Sequence, residues 1–554
     1  MSHYVESDSV NLIHQRPLLL IVCLMIALLT ISACSDSASE ANDTLPTQIP
    51  SSVPKPHATS TPVAVAMLPE PAVVDWNRTD QFHAAMRPEY VGDVEYGSTR
   101  RHYIEATLEI SPIASVINGV QRAYYTNTSP DTLGEIVFRL APNTPSVGWR
   151  LLVSDVTVNG LAATPTYELF DSVMQVPLAQ PLAPGESVEF FMRFNLVAER
   201  GLSNGIFANA NDIFATTLWY PAFSVYQLER GWWKGLYSGD PYYNEIGLFE
   251  IKLTHAENMN VAMSGVTIDT QTNADGTVTE HIVSGPMRDI ILFASPVVGR
   301  TSGETDGTTI NVYYLPEGER AADYALQATR RSLEITNRIF GEYPYAELDV
   351  IEIDLRGQAA GVEYSGVITA SDDDWLNGNP SLEVTLAHEV GHQYWYGLVG
   401  NNAVDETWID ESLASYTEYV YLREAYPNDE QRATDVIDFD RGAYNFFRSN
   451  GGDFPLSTIN WVECPLQNSC LLPYTKGPLF YIGLEEMLGR ETVYEALRTY
   501  VSEMKYQLVT TIDLLRVFEQ VSGQDLDAYF YQWVGDFPGL DPEAKAAVDR
   551  EEAD

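Results

Sequence analysis

Basic residues and cysteines are both scarce in this chain. Lysine and arginine together number 32 in 554 residues, against 77 aspartates and glutamates, so the formal net charge is -45. Such a surface offers no basic footprint for phosphate groups, which excludes nucleic acid as a partner. It indicates an acidic, solvated exterior or, as an alternative, a surface that selects cationic substrates.

Only two of the four cysteines, Cys464 and Cys470, lie beyond residue 34. A single pair is too small a set to build a zinc site. Six positions apart, the two cysteines can close a small disulfide loop in an oxidising compartment. Two free thiols are the alternative.

A run of uncharged apolar residues lies near the N-terminus. Pro17 to Ala33 form a stretch of 17 residues that follows Arg16. This is short for a membrane span and typical of a signal-peptide core. The run ends in Ile31-Ser32-Ala33-Cys34, which resembles a bacterial lipobox with Cys34 as the lipidated residue. An uncleaved anchor helix is the alternative, and both hypotheses predict an exported protein held at the cell membrane on its extracytoplasmic side.

Composition divides the chain into five parts, since it is too long for a single core. Residues 1–34 are predicted to be a lipoprotein-type signal peptide, and residues 35–75, rich in Ser, Thr, Pro and Ala, a flexible linker. Over residues 76–300, runs such as YIEATLEI and DIILFASPV between turn signals predict a large antiparallel β domain. Residues 301–540 carry helical patterns mixed with strands, and residues 541–554 are an acidic tail.

The sequence His388-Glu389-Val390-Gly391-His392 carries the chemistry. Residues four apart on a helix share a face, so both imidazoles can reach one ion. Glu389, offset by about 100° around the helix, can face a water beside that ion as its general base. Zinc suits these groups because it accepts nitrogen and oxygen ligands and lowers the pKa of bound water to about 7. Two histidines on a surface helix are the alternative.

A catalytic zinc site needs three protein ligands and an open position. Glu411 lies 19 residues beyond His392, where a helix beginning near Trp408 would project its carboxylate onto the first helix. Glu418, two turns further along the same face, is a candidate hydrogen-bond partner of a ligand histidine, or else a solvated carboxylate. The sequence therefore predicts one Zn²⁺ per chain, held by His388, His392 and Glu411.

This spacing resembles that of the gluzincin zinc metallopeptidases of the aminopeptidase N and leukotriene hydrolase family. The segment 360–364, AGVEY, lies shortly before the first histidine and resembles the family's GxMEN loop. The segment 473–477, PYTKG, followed by the helical pattern PLFYIGLEEMLG, resembles the one that holds the family's oxyanion tyrosine. The resemblance covers about residues 95 to 540. It implies a multidomain fold, with an N-terminal antiparallel β-saddle, a thermolysin-like α/β catalytic domain and a C-terminal helical lobe.

The resemblance also implies roles for single residues. Glu363, with Gly361 beside it, would bind the free α-amine of a peptide substrate. Tyr474 would stabilise the oxyanion, and Glu389 would carry the proton from water to the leaving amine. The expected function is a zinc metallopeptidase, most simply an aminopeptidase. The alternatives are a zinc endopeptidase, a non-proteolytic zinc hydrolase, or a binding protein with a vestigial site.

Two departures from the family bear on specificity. In the GxMEN-like segment, Ala360, Val362 and Tyr364 stand where the family has Gly, Met and Asn. The β domain shows no clear counterpart of the family's second amine anchor. Zinc hydrolysis is therefore better supported than strict aminopeptidase specificity, and the oligomeric state stays open.

Overall fold

A computed structural model describes residues 68, 73–202, 206–237, 243–357, 359–377, 380–459 and 469–553. The predicted signal peptide, Cys34, Cys464 and nearly all of the predicted linker lie outside these residues. Met67–Asp554 form one compact unit. Among the described helices, none combines the length and the apolar character that a membrane span requires.

The first eighteen strands build the N-terminal β domain. Their bounds are β1 Arg100–Ile110, β2 Ala114–Thr126, β3 Leu133–Arg139, β4 Arg150–Val158, β5 Leu161–Ala162, β6 Thr166–Glu168, β7 Val173–Leu182, β8 Ser187–Glu199, β9 Phe207–Ala210, β10 Ile213–Thr216, β11 Ala222–Phe223, β12 Tyr226–Gln227, β13 Gly231–Trp232, β14 Gly247–Ala256, β15 Asn260–Met263, β16 Val266–Thr272, β17 Thr277–Val283 and β18 Leu292–Ser295. An eight-stranded sheet has the order β16-β17-β14-β1-β2-β8-β4-β5. It is antiparallel except at β1 and β14, which pair in parallel. Smaller sheets have the orders β15-β18-β10-β9, β11-β3-β7-β6 and β12-β13. The predicted β-rich N-terminal domain is confirmed.

One predicted strand is shorter than its sequence pattern. The run DIILFASPV begins at Asp289, whereas β18 begins at Leu292. The Asp289 carboxylate accepts hydrogen bonds from the backbone N–H of Ser365 at 3.0 Å and from the hydroxyl of Tyr396 at 2.7 Å. The start of the run therefore contacts the predicted catalytic region, residues 301–540, and does not pair with a neighbouring strand.

The catalytic region starts where the chain enters a different sheet, formed by β19 Gly299–Thr305, β20 Thr308–Tyr314, β21 Glu347–Ile353, β22 Gly361–Tyr364 and β23 Val367–Ser371. The strand order is β19-β20-β21-β23-β22. β20, β21 and β23 run in parallel, and β19 and β22 pair antiparallel at the two edges. The helices are α1 Glu319–Phe340, α2 Asp372–Asn377, α3 Pro380–His392, α4 Trp408–Ala425, α5 Glu430–Ser449, α6 Leu472–Leu488, α7 Arg490–Met504, α8 Thr511–Ser522, α9 Asp527–Val534 and α10 Pro542–Ala553. The expected α/β domain with a C-terminal helical lobe is confirmed.

Three helical segments differ from their sequence patterns. The segment 381–400, SLEVTLAHEVGHQYWYGLVG, has helical spacing of its apolar residues up to Gly400, yet α3 ends at His392. Beyond it the chain turns, and Tyr396 has a φ of 118° that no helix accommodates. The PYTKG segment is the start of α6 and does not precede it. The acidic tail is helical as α10, and Tyr531 donates a 2.8 Å hydrogen bond to Asp549 on it.

Glu383 anchors the beginning of α3, the helix that carries both histidines. Its side chain is 5% exposed. The carboxylate accepts hydrogen bonds from Tyr324 on α1 at 3.0 Å, from Tyr426 at the end of α4 at 2.8 Å, and from Tyr421 on α4. Three helices therefore meet at one buried acceptor, which fixes α3 relative to α4.

Replacing Glu383 by alanine should remove the acceptor of three tyrosine hydroxyls, among which Tyr324 is 39% exposed and Tyr421 is fully buried. The free energy of unfolding is expected to fall by about 3 kcal/mol, since hydrogen bonds to charged groups are worth about 1.5–3 kcal/mol each and the losses are not additive. Glu424→Ala is the matched control, because Glu424 meets the largely exposed Arg338 at 3.1 Å and such pairs contribute about 0–1 kcal/mol. Thermal and urea unfolding compare the two, and equal losses would contradict the anchoring role.

Candidate active site

Three predicted ligands converge where α3 crosses α4. The Nε2 atoms of His388 and His392 lie 3.1 Å apart, and each lies 3.3 Å from Oε2 of Glu411. His392 and Glu411 are 1% and 5% exposed at their side chains. The two histidines share one face of α3, and Glu411 reaches them from the first turn of α4. Sequence spacing and helix crossing thus bring three ligand atoms to one point.

Small residues permit this close helix crossing. A Cβ added at Gly391 would lie 3.1 Å from Cβ of Thr417 and 3.3 Å from Cα of Ala414. Contacts this short are tighter than ordinary packing allows. The glycine between the two histidines therefore lets α4 approach α3 closely enough for Glu411 to join them.

The outer nitrogens of both histidines are held by acceptors. Nδ1 of His388 lies 2.9 Å from Oε1 of Glu418, and Nδ1 of His392 lies 3.1 Å from the carbonyl oxygen of Trp395. A carbonyl or an ionised carboxylate can only accept, so each Nδ1 carries a hydrogen and each Nε2 faces inward. The structure shows the predicted contact of Glu418. The Trp395 carbonyl had no sequence signal, because it comes from the turn that ends α3.

The inward-facing atoms suit a cation. Two imidazole nitrogens and one carboxylate oxygen are the ligand set of a catalytic zinc site that keeps an open position. His388, His392 and Glu411 form a group whose ligand atoms all lie within 4.8 Å of one another. The chemistry of these donors fits zinc, although the ligand set itself stays a prediction.

The electrostatics of the pocket also favour positive charge. Burial lowers the pKa of His388, but hydrogen bonds with Glu411 and Glu418 outweigh it and raise that pKa well above its usual value. Burial raises the pKa of Glu411, yet the two histidines hold it well below its ordinary range. The carboxylates therefore stabilise a cation at this point, either a proton on His388 or a metal ion.

Glu389 points into the same pocket. Burial, with help from the charges of Glu411 and Glu418 and against that of His388, raises its pKa to about 8. Its Oε2 atom is buried and meets no hydrogen-bond partner within the described part of the chain. Its Oε1 atom rests against Gly361, where an added Cβ would lie 2.4 Å away. A carboxylate with an uncommitted oxygen beside the ligand histidines has the placement of a general base.

Glu363 lies on the edge strand β22, so the GxMEN-like segment is a strand and not a loop. Its residue is 4% exposed, and its carboxylate, that of Glu389 and a ring nitrogen of His392 lie within 4.8 Å of one another. Gln393 joins α3 to this strand: its amide donates to the carbonyl of Tyr364, and its carbonyl accepts from the N–H of Gly366, both at 2.9 Å. Gln393 directly follows the second histidine, but no motif or periodicity in the sequence marks it as part of the site.

Tyr474 approaches the ligands from the first turn of α6. Its hydroxyl donates a 2.6 Å hydrogen bond to Oε1 of Glu411, and its ring centroid lies 6.1 Å from that of His388. Gly477 sets this approach, since an added Cβ would lie 1.9 Å from Oγ of Ser412. The structure thus places Tyr474 beside the ligand set, as its predicted role requires.

Cys470 lies shortly before Tyr474 and forms a disulfide bond. Its predicted partner, Cys464, is outside the described residues. The pairing of these two cysteines therefore stays a prediction.

The β-rich domain, the mixed five-stranded sheet and the crossing of α3 and α4 together define a zinc metallopeptidase fold. Residues 324–533 match the Peptidase family M1 domain. Residues 324–533 therefore form a domain of peptidase family M1, in agreement with the resemblance to the gluzincins of the aminopeptidase N family. The family implies zinc as the metal.

Relatives agree with this assignment. The chain is 31% identical to Aminopeptidase N of Acetobacter pasteurianus over 170 residues. This aligned region covers 28% of this chain and 47% of that protein. It is 24% identical over 280 residues to Aminopeptidase M1-B of Oryza sativa subsp. japonica, covering 46% of this chain and 32% of that protein. The M1 zinc metallopeptidase of Deinococcus radiodurans has a similar fold, with a TM-score of 0.58 at 18% identity, covering 80% of this chain and 95% of that one. The chain thus spans less than half the length of these two curated relatives.

The ligand assignment can be tested by metal analysis of purified variants. His388→Ala and His392→Ala should each lose bound zinc, because two protein ligands hold the ion poorly. Glu389→Gln should keep its zinc and lose most of its turnover, since the ligands remain and the base is gone. His281→Ala is the matched control: His281 contacts Glu250 in the β domain and should keep both zinc and activity. Full turnover in Glu389→Gln would refute the assignment of the base.

Proposed function

We propose that the chain is a zinc-dependent aminopeptidase, with one zinc ion per chain, that releases N-terminal residues from peptides. The observation that carries the proposal is the position of Glu363, whose carboxylate shares a 4.8 Å cluster with Glu389 and His392. Bond lengths of 1.46 Å and 1.52 Å place the nitrogen and the carbonyl carbon of one residue about 2.5 Å apart. An α-ammonium held by Glu363 would therefore bring the first peptide bond to the base Glu389.

The charges of the pocket support the same substrate. Glu363 is buried beside a second buried carboxylate, Glu389, and a positive charge placed next to two such carboxylates is stabilised by both. The α-ammonium of a free peptide N-terminus supplies such a cation, whereas an acetylated terminus supplies none. If Glu363 binds the α-ammonium of the first residue, the bond that reaches Glu389 is the peptide bond directly after that residue, so the enzyme releases one residue at a time.

Each residue of the site has a separate role in the proposed peptide hydrolysis. Bound zinc supplies a Lewis acid that activates water and polarises the scissile carbonyl. Glu389 accepts the proton of the attacking water at its carboxylate and returns it to the leaving amine. In the proposed reaction the hydroxyl of Tyr474, which donates to Glu411 in this structure, turns to donate a hydrogen bond to the oxyanion that develops on the carbonyl oxygen. Glu418 and the Trp395 carbonyl keep the histidine rings oriented throughout.

The N-terminal sequence supports a second part of the proposal, that a lipid on Cys34 tethers the protein to the cell membrane on its extracytoplasmic side. The lipobox-like residues and the uncharged run before them carry this hypothesis. The disulfide at Cys470 agrees with an oxidising compartment. An uncleaved anchor helix would lead to the same location.

Substrate-amine recognition can be tested at Glu363. In Glu363→Ala, kcat/KM for free-amine peptides should fall by about 2–5 kcal/mol in transition-state stabilisation, the scale for removing one partner of a buried charge pair. N-acetylated peptides should be poor substrates of the parent and hardly affected by the change, and bound zinc should be unaltered. If the parent cleaves free and acetylated peptides equally well, the chain is an endopeptidase and the proposal fails.

Tethering can be tested at Cys34. Cys34→Ala removes the thiol that a lipid would occupy, so the protein should leave the membrane fraction or accumulate as an unprocessed form. Cell fractionation and intact-mass measurement give the result, with Cys23→Ala, inside the apolar run, as the control that should still be processed. Unchanged mass and membrane association in Cys34→Ala would favour the anchor helix.

A further inference from the structure

Asp289 is a fully buried residue of the β domain that contacts the catalytic region. Its exposed fraction is 0%, and it lies between β17 and β18. One carboxylate oxygen, Oδ1, accepts from the N–H of Ser365 at 3.0 Å and from the hydroxyl of Tyr396 at 2.7 Å. The other, Oδ2, accepts from the hydroxyl of Thr217, in its own domain, at 3.0 Å. The two oxygens thus face different parts of the molecule.

Ser365 is the residue through which the β domain reaches the amine-binding strand. It lies two positions after Glu363, in the turn between β22 and β23. Besides the contact of its N–H with Asp289, its hydroxyl accepts from the N–H of Arg288 at 3.1 Å. Two neighbouring residues of the β domain therefore hold Ser365 at two separate atoms.

The edge position of β22 makes this contact important for Glu363. β22 pairs with β23 on one side and ends the strand order of its sheet on the other. Gln393 holds the same hairpin from the α3 side, at Tyr364 and Gly366. The hairpin of β22 and β23 therefore lies between α3 and the β domain. Gln393, directly after α3, holds it at Tyr364 and Gly366, and the β domain holds it at Ser365.

Tyr396, the second residue that Asp289 holds, has a left-handed backbone. Its φ of 118° is a conformation that residues other than glycine seldom adopt and that persists only where the surroundings impose it. The carbonyl of Tyr396 accepts from Nε of Arg288 at 2.6 Å, while its hydroxyl is held by Asp289. Burial, then Asp289 and to a lesser degree Glu363 raise the pKa of Tyr396 well above its usual value, so this ring lies within electrostatic reach of Glu363.

We infer that Asp289 is a positioning residue for Glu363, through which the β domain sets the place of the amine-binding carboxylate relative to the zinc ligands. The inference rests on the proposed aminopeptidase function. Displacements on the order of 1 Å in a reacting group can cost about 100-fold in rate, so a loosened hairpin would weaken recognition of the α-amine while the ligand set stays intact. A residue that merely joined two domains would affect stability alone.

The test compares variants that remove the contacts of the same carboxylate singly or together. Tyr396→Phe removes one of the two hydrogen bonds that the catalytic region donates to Oδ1 and leaves the one from the N–H of Ser365. Thr217→Val removes the hydrogen bond from the β domain to Oδ2. Asp289→Ala removes all of them. Asp289→Asn is the conservative variant, since its amide oxygen can accept at the Oδ1 position and its NH₂ can donate to the Thr217 hydroxyl.

The primary readout is binding, measured by calorimetry in a Glu389→Gln background, where peptide is not consumed. The ratio of the dissociation constants of an N-acetylated and a free-amine tripeptide measures amine recognition. Asp289→Ala and Tyr396→Phe should lower this ratio by about 10-fold or more, with unchanged zinc content. Thr217→Val and Asp289→Asn should stay within about twofold of the parent. If Asp289→Ala does not fold, Tyr396→Phe against Thr217→Val decides the matter.

Two further results separate the possible failures. If Tyr396→Phe and Thr217→Val lower the melting temperature alike and leave the ratio unchanged, Asp289 is structural and the inference is wrong, although the proposed function stands. If the parent shows no preference for the free amine, or Glu363→Ala leaves the ratio unchanged, the proposed function has failed and the inference falls with it.

Discussion

The crossing of α3 and α4 brings together groups that repel one another unless a cation lies among them. Two imidazole nitrogens 3.1 Å apart and a carboxylate oxygen 3.3 Å from each face the same point among largely buried side chains. In such surroundings unpaired electron-rich atoms are costly. The neighbouring residues hold these three groups in place. Gly391 lets the helices approach, Glu383 anchors α3, and Glu418 with the Trp395 carbonyl turns each Nε2 inward.

More buried carboxylates lie beside the two histidines and Glu411. Glu389 and Glu363 add two buried carboxylates within a few ångströms of His392. The pocket therefore favours positive charge twice, as a metal ion at the histidines and as an ammonium at Glu363. The proposed specificity for a free N-terminus rests on the second of these positions, because an α-ammonium brings a positive charge to Glu363 that a neutral, acetylated terminus does not. One electrostatic constraint thus accounts for both the cofactor and the proposed substrate.

The β domain takes part in this arrangement although it supplies no ligand. Arg288 donates to the carbonyl oxygens of Tyr396, Leu398 and Gln507, and its side chain is buried. Asp289, the next residue, holds the turn that follows Glu363. A short irregular segment before β18 therefore joins the β domain to the turn after α3 and to the turn after β22. This explains why the segment does not form the strand that its apolar sequence predicts.

The sequence by itself determined the parts of this protein that depend on local periodicity. Two histidines four residues apart share a helix face in any fold, so His388, His392 and the neighbouring Glu389 were evident from spacing, and Glu411 and Glu418 followed from the next helical pattern. The tertiary structure alone decided where α3 ends, that the Glu363 segment is an edge strand, and that Gln393, Asp289 and the Trp395 carbonyl support the site. These features arise from contacts between distant positions: Asp289 lies 76 residues from Ser365 and 107 from Tyr396 along the chain. Periodicity describes one element at a time, whereas such contacts depend on how the elements pack against one another.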